Sequence, residues 1–198
     1  MKLLSAAASP FVAKAAMALR FAGLDFQIVS VDATNGDPAL DEANPLSKIP
    51  CLVLDDGTGL FDSRSITRYG DRISGGKLFP VPDPDRMIAE RMEALSDGIC
   101  DCAVGIMYEG RFRPGDIVHQ PWIDRLWGKA ERGLDEAASD LPPLGADLHA
   151  GSIALAATLG YLELRFAGKW ENGRDRLVSF AADFAKAHPE LAELLPRA

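Results

Sequence analysis

Three short stretches place reactive or polar groups at chain turns: Ser9-Pro10-Phe11-Val12, Lys48-Ile49-Pro50 and Asp62-Ser63. The first puts a hydroxyl at a strand-to-helix turn. The second puts an X-Pro step in front of a strand. The third opens a helix with a carboxylate and a hydroxyl. Taken singly, each has an ordinary explanation. Ser9 caps a helix whose first position favours proline. Ile49-Pro50 is a turn with its proline at the start of a strand, where the sheet tolerates it. Asp62-Ser63 is a second cap. Ser5 lies close to Ser9 and competes with it as the hydroxyl of interest. Other chemistries find less support. His119, His149 and His188 are far apart and lack metal-ligand spacing, so no metal site is expected. Cys51, Cys100 and Cys102 include no Cys-x-x-Cys, and Cys51 reads as a buried strand residue. Cys100 and Cys102 stand two apart on a helix and so point to different faces.

The elements that position these groups come from a chain of ordinary globular balance. It has 198 residues, 47% hydrophobic and 25% charged, enough for one large domain or two small ones with a real core. The net charge of -8 argues against nucleic acid as a partner, because phosphate binding needs a basic face. No apolar run approaches the roughly 20 residues that span a bilayer, so no membrane association is expected. A sparse, odd cysteine count fits a reducing compartment, and the expected location is cytoplasmic.

The opening "MKLLSAAASPFVAKAAMAL" allows two readings. One is an export signal cleaved near the alanines. Its apolar core would be only Leu3-Leu4 before the serine, and Pro10 and Lys14 interrupt the next stretch. The other explains more residues. Lys2 to Ser5 forms a strand and Ser9 caps a helix. Val12, Ala15, Ala16, Leu19 and Phe21 recur at helical spacing, and Gly23 ends the helix.

Phe26 to Val31 reads as a second strand. After it comes a polar connection, with a helical turn at Pro38 to Glu42. "KIPCLVL" enters a third strand, "DDGTG" signals a hairpin and "LF" begins a fourth strand. "DSRSITRYGDRIS" is a helix with Ile66, Tyr69 and Ile73 on one face. The helix-crossed strand pair is expected to be parallel and the hairpin antiparallel. After "GGKLFPVPDPD" the signal becomes purely helical. Met87, Arg91, Ala94, Leu95 and Ile99 mark a long amphipathic helix, and "SIALAATLGYLELRFA" suits a central buried one. The expected division is residues 1–76 as a βαβ-ββα unit, 77–84 as linker and 85–198 as an all-α domain. Tyr108, Phe112 and Trp122 are expected in the core on their helical spacing, with a pocket or a dimer contact as alternatives.

In this order the three stretches resemble one family, the soluble glutathione transferases, through "SPFVAKAAMALRFAGL", "NPLSKIPCLVLDDGTGLFDSRSITRYGD" and "EALSDGICD". The chain is most similar to small bacterial members with a Ser-Pro-Phe start. The resemblance covers nearly the whole chain. It implies a thioredoxin-like N-terminal domain and an all-helical C-terminal domain. It implies glutathione as co-substrate, with Ser9 as the catalytic residue that donates a hydrogen bond to the sulfur and so favours the thiolate. Phe11 would line the site. Pro50 would be cis, turning the Ile49 backbone outward to pair with the cysteinyl unit. Ser63 and a helix N-terminal N–H would take the γ-glutamyl carboxylate, and Asp62 the ammonium. Lys48 and Thr34 would reach the glycine end. The same likeness implies a small electrophilic second substrate and a homodimer. Arg86 to Asp101 would lie at the interface, and Asp97 or Asp101 would approach the partner's glutathione. A non-catalytic glutathione-binding protein of the same fold is the alternative.

Two departures stand out. Redox members start the helix with cysteine, and the related glutaredoxin motif is Cys-Pro-Tyr-Cys, where this chain has Ser9-Pro10-Phe11-Val12. Exchange through a protein thiol is therefore not expected. Before the apolar helix the family has Ser/Thr-x-x-Asp, and this chain has His149-Ala150-Gly151-Ser152, so Ser152 is expected to make the cap alone.

Overall fold

A computed structural model describes residues 1–81 and 83–198. The first half alternates short strands with helices. They are β1 (Lys2–Ser5), α1 (Pro10–Phe21), β2 (Gln27–Ser30), α2 (Pro38–Ala43), β3 (Cys51–Val53), β4 (Gly59–Leu60) and α3 (Ser63–Ile73). The sheet order is β2-β1-β3-β4, with β1 and β2 parallel and the β1–β3 and β3–β4 pairs antiparallel. Successive side chains of a strand face opposite ways. Leu3 and Leu52 therefore pack with Val12, Ala15, Ala16, Leu19 and Ile66 from α1 and α3. Leu4 and Cys51 pack on the other face with Val31 and with Leu40 of α2.

The second half is helical: α4 (Asp83–Phe112), α5 (Gln120–Ser139), α6 (Ala150–Phe166), α7 (Asp175–Ala187) and α8 (Pro189–Ala192), with a 3-10 turn at Gly115–Ile117. The run from Ala150 to Leu159 is buried without a break, so α6 is the central helix against which α4 and α1 pack. The architecture is a thioredoxin-like mixed sheet with helices, joined to a large helical part. Of the expected linker, Pro82 lies outside the described residues. Leu78 and Phe79 are buried, and their N–H groups donate to Asp71 Oδ1 at 2.9 and 3.0 Å.

Several expectations are corrected. Ile66 is buried and Tyr69 packs half-buried against its cluster, but Ile73, two turns on at the helix end, is exposed. Met87, Arg91 and Ala94 point to solvent, because the buried side of α4 is carried by Ala89, Met92, Glu93, Ser96, Ile99 and Cys100. Polar residues on that side break the apolar periodicity. The α6 cap is His149, whose Nδ1 accepts from the N–H groups of Gly151 (3.1 Å) and Ser152 (3.3 Å). Ser152 instead donates its hydroxyl to the Pro143 carbonyl at 2.7 Å. Tyr108, Phe112 and Trp122 are exposed rather than core residues. Tyr108 and Phe112 meet edge to face with ring centroids 5.1 Å apart.

Candidate functional site

A groove runs between the loops at one end of the sheet and α4, with one cavity of about 230 Å³ and an adjoining one of about 470 Å³. Phe11, Lys48, Ile49 and Asp101 line both. Pro50, Asp62 and Ser63 complete the smaller cavity, and Ser9 and Thr34 lie on the larger. All eight residues singled out in the sequence therefore face one groove, though they come from four separate stretches.

Local structure explains each position. Ser9 has extended backbone (φ -81°, ψ 124°) and its Oγ accepts the Val12 N–H at 3.3 Å, as an N-cap should. A hydroxyl has one proton and two lone pairs, so this cap leaves the Ser9 O–H free to donate. Ser5 is committed elsewhere: it is buried and its hydroxyl donates to Val29 O at 3.2 Å. Ile49-Pro50 is a cis peptide. Among the described residues, neither the N–H nor the C=O of Ile49 has a hydrogen-bond partner, so an extended ligand would find both unpaired. The loop that carries them is held by the buried Asn44. Its Nδ2 donates to Lys48 O at 2.7 Å and its Oδ1 accepts from the Leu46 N–H at 3.0 Å.

Asp62 caps α3 through Oδ1, accepting the Arg64 N–H at 2.9 Å. Ser63 is the buried first residue of that helix, whose N-terminus carries partial positive charge. Thr34 is exposed in a loop braced by Asp32, which accepts from the N–H groups of Thr34 and Asn35 and from the Asn35 amide. The Asn35 side chain, then these backbone donors, hold the Asp32 carboxyl below the usual carboxylate range.

Beneath the smaller cavity lies a buried ion cluster. Lys14, only 1% exposed, reaches from α1 to both oxygens of Asp97 at 2.8 Å and to Glu93 at 3.2 Å. Arg64 Nε donates to Asp97 at 2.7 Å, and Arg68 to Glu93 at 3.1 Å. Asp97 is thus enclosed by cations of its own chain. Asp101, which opens onto both cavities, has its carboxyl raised by burial and then by the Asp97 charge. Among the described residues no group of three or more His, Cys, Asp or Glu could hold a metal ion, and no helix is long and apolar enough to cross a membrane.

Residues 8–73 match the family model for the glutathione S-transferase N-terminal domain. Over 203 aligned residues the chain is 30% identical to the uncharacterized GST-like protein YibF of Escherichia coli, covering 97% of this chain and 100% of that one. The chain belongs to the glutathione S-transferase family. Two solved structures of the family superpose closely. A glutathione S-transferase from Methylobacterium radiotolerans, in complex with glutathione sulfonate, has a TM-score of 0.91 and 30% identity, covering 100% of this chain and 95% of that one. A glutathione S-transferase from Methylobacillus flagellatus, with glutathione bound, has a TM-score of 0.89 and 32% identity, with 99% of both chains covered.

Asp97 and Asp101 are singled out in the sequence and Tyr108 has a pocket among its readings, but other residues in and beneath the groove of this family member escape it. Arg64 comes directly after Asp62-Ser63, and its neighbourhood to Asp97 is set only by how α3 meets α4. Lys14 and Glu93 sit on helix faces that a hydrophobic pattern assigns to solvent. Tyr161 and Arg165, four apart on α6, line the larger cavity, as does Arg111, three residues beyond Tyr108 on α4. Those spacings are a signal for shared faces, but not for what the faces meet.

Proposed function

We propose that this chain binds glutathione along the groove and activates its thiol for attack on a small electrophile. The observation that carries the reading is the convergence of unpaired groups whose order matches the tripeptide. The Asp62–Ser63 helix start suits the γ-glutamyl end, the free Ile49 backbone suits the cysteinyl unit, and Ser9 offers a donor to the sulfur. Lys48 and Thr34 are assigned to the glycine carboxylate. A donated hydrogen bond and the positive end of α1 both favour thiolate over thiol. The thiol proton leaves to solvent. The sulfur lone pair forms a C–S bond, and the leaving group departs with its bonding pair. Residues 1–76 would hold glutathione, and 85–198 would shape the second-substrate pocket. The protein would act in the cytoplasm as a homodimer joined through α4 and the N-terminal half.

A second reading is a non-catalytic glutathione-binding protein. It draws on the Ser9 cap, since a hydroxyl that accepts the Val12 N–H already has a structural use. Calorimetric glutathione binding to wild type and Ser9→Ala separates the two, with thiolate ultraviolet absorbance tracked across pH. The catalytic reading expects both proteins to bind and only wild type to lower the thiol from its ordinary pKa of about 8.5. Equal binding with an unshifted thiol supports the second reading, and no binding overturns both.

A further inference from the structure

The larger cavity has a wall that the proposed glutathione contacts do not use. On α4, Asp101, Val104, Tyr108 and Arg111 recur at three- and four-residue steps and form one stripe facing the cavity. On α6, Tyr161 and Arg165 are one turn apart and face the same space. Arg111 lies over the Tyr108 ring, 5.9 Å from its centroid. Among the described residues neither Arg111 nor Arg165 has a carboxylate partner, whereas Arg64 on the smaller cavity is paired with Asp97. Two unpartnered guanidinium groups on one cavity wall are notable in a chain of net charge -8.

The acidic groups of the cavity do not neutralise this wall. Asp32 turns its oxygens to its own loop and, among the described residues, makes no ion pair with the wall. Asp101 stands ten residues before Arg111 on α4, about 15 Å away along the helix axis. Lys48 adds a third cation across the groove. Tyr161 is 5% exposed and its hydroxyl has no hydrogen-bond partner among the described residues, yet it is not sealed from solvent. Burial pushes its phenol up to about 12, against the opposing pull of Arg165 and, more weakly, Arg111. It therefore stays an O–H donor at neutral pH.

We propose that the second substrate of this site is an electrophile bearing a carboxylate, held by Arg111 and Arg165 with the Tyr161 hydroxyl as a further donor. Guanidinium groups match a carboxylate in charge and planar geometry. The apolar part of the molecule would lie on Val104 and the Tyr108 ring. This inference rests on the proposed binding of glutathione in the same groove.

The test is equilibrium binding, so that it does not depend on turnover. S-(4-carboxybenzyl)glutathione, its methyl ester and unmodified glutathione are titrated by calorimetry into wild type, Arg111→Gln, Arg165→Gln and the double variant. Wild type is expected to bind the acid about tenfold more tightly than the ester, equivalent to about 1.4 kcal/mol. The double variant should lose that preference while binding unmodified glutathione as before. The wild-type preference should also shrink between low and high salt, since these arginines are partly open to solvent. Equal wild-type binding of acid and ester overturns the inference and leaves the glutathione reading standing. So does an equal loss for acid and ester in the variants, which would make the arginines mere wall packing. If unmodified glutathione itself does not bind, the underlying reading fails and the inference falls with it.

Discussion

Replacing Lys14 with methionine removes the centre of the buried ion cluster while keeping most of the side-chain volume. Lys14, Glu93 and Asp97 have side chains only 2%, 2% and 6% accessible. Removing one member of such a buried set leaves uncompensated charge and costs about 3–5 kcal/mol. Here the carboxylates keep second partners, since Arg64 and Arg68 hold Asp97 and Glu93, but those arginines are 47% and 37% accessible and solvent-screened. The expected loss is therefore at the lower end, about 3 kcal/mol. For a chain of this size that corresponds to a fall in Tm of about 6–12 °C. Thermal unfolding monitored by circular dichroism measures the shift, and urea unfolding gives the free energy. Lys14→Met/Glu93→Gln should be less destabilised than the sum of its single variants, because the second change removes a charge that the first orphans. A Lys14→Met Tm within about 2 °C of wild type would refute the claim that the cluster fastens α1 to α4.

Three further outcomes are expected. Burial lowers the His149 pKa, and its Nδ1 must be neutral to accept from Gly151 and Ser152. The unfolded chain then takes up a proton near pH 6.5 that the folded chain refuses, so stability should fall below that pH by up to about 1.4 kcal/mol per unit. His149→Asn keeps a cap and should flatten that part of the urea-unfolding pH profile; an unchanged profile would assign the acid loss to other groups. Gly59→Ala would put a Cβ 1.9 Å from the Ala43 carbonyl oxygen, so β4 must shift, and a loss of about 3 kcal/mol or more is expected in the same unfolding assay; wild-type stability would show that the contact relaxes freely. Burial pushes the Cys100 thiol up to about 12 and raises Cys51 and Cys102 less. Iodoacetamide at neutral pH, read by peptide mass spectrometry, should therefore label the half-buried Cys102 first; early labelling of Cys100 would refute its burial.

The strands and helices of the first half are legible because their signals are local. Ser9, Pro10 and Gly23 punctuate α1, and Thr58 closes the "DDGTG" hairpin through its carbonyl, which accepts from the Leu54 N–H at 2.9 Å. The eight groove residues are legible only through their resemblance to a family, since each stretch alone reads as a cap or a turn. Expectations fail where they depend on partners remote in sequence. The buried side of α4 includes Glu93 and Asp97 because Lys14, about 80 residues earlier, reaches them. A periodicity argument cannot know that, and it moves the apolar stripe onto Met87 and Arg91. His149 is hard to recognise as a cap because its role needs a neutral ring in a buried setting, which residue type alone does not specify. Tyr108 and Phe112 have core spacing, but Tyr108 lines a cavity and Phe112 packs on its ring from the solvent side.

The 30-residue α4 is a single uninterrupted rod with two different jobs along its length. Toward its middle, Glu93 and Asp97 are fastened by Lys14. Fourteen residues beyond Asp97, about 21 Å along the axis, Arg111 faces the outer cavity. A bend of about 5° at the fastened turn would carry Arg111 sideways by about 2 Å, more than half the length of a hydrogen bond. The position of Arg111 thus answers in part to the seating of a buried ammonium far from the cavity it lines.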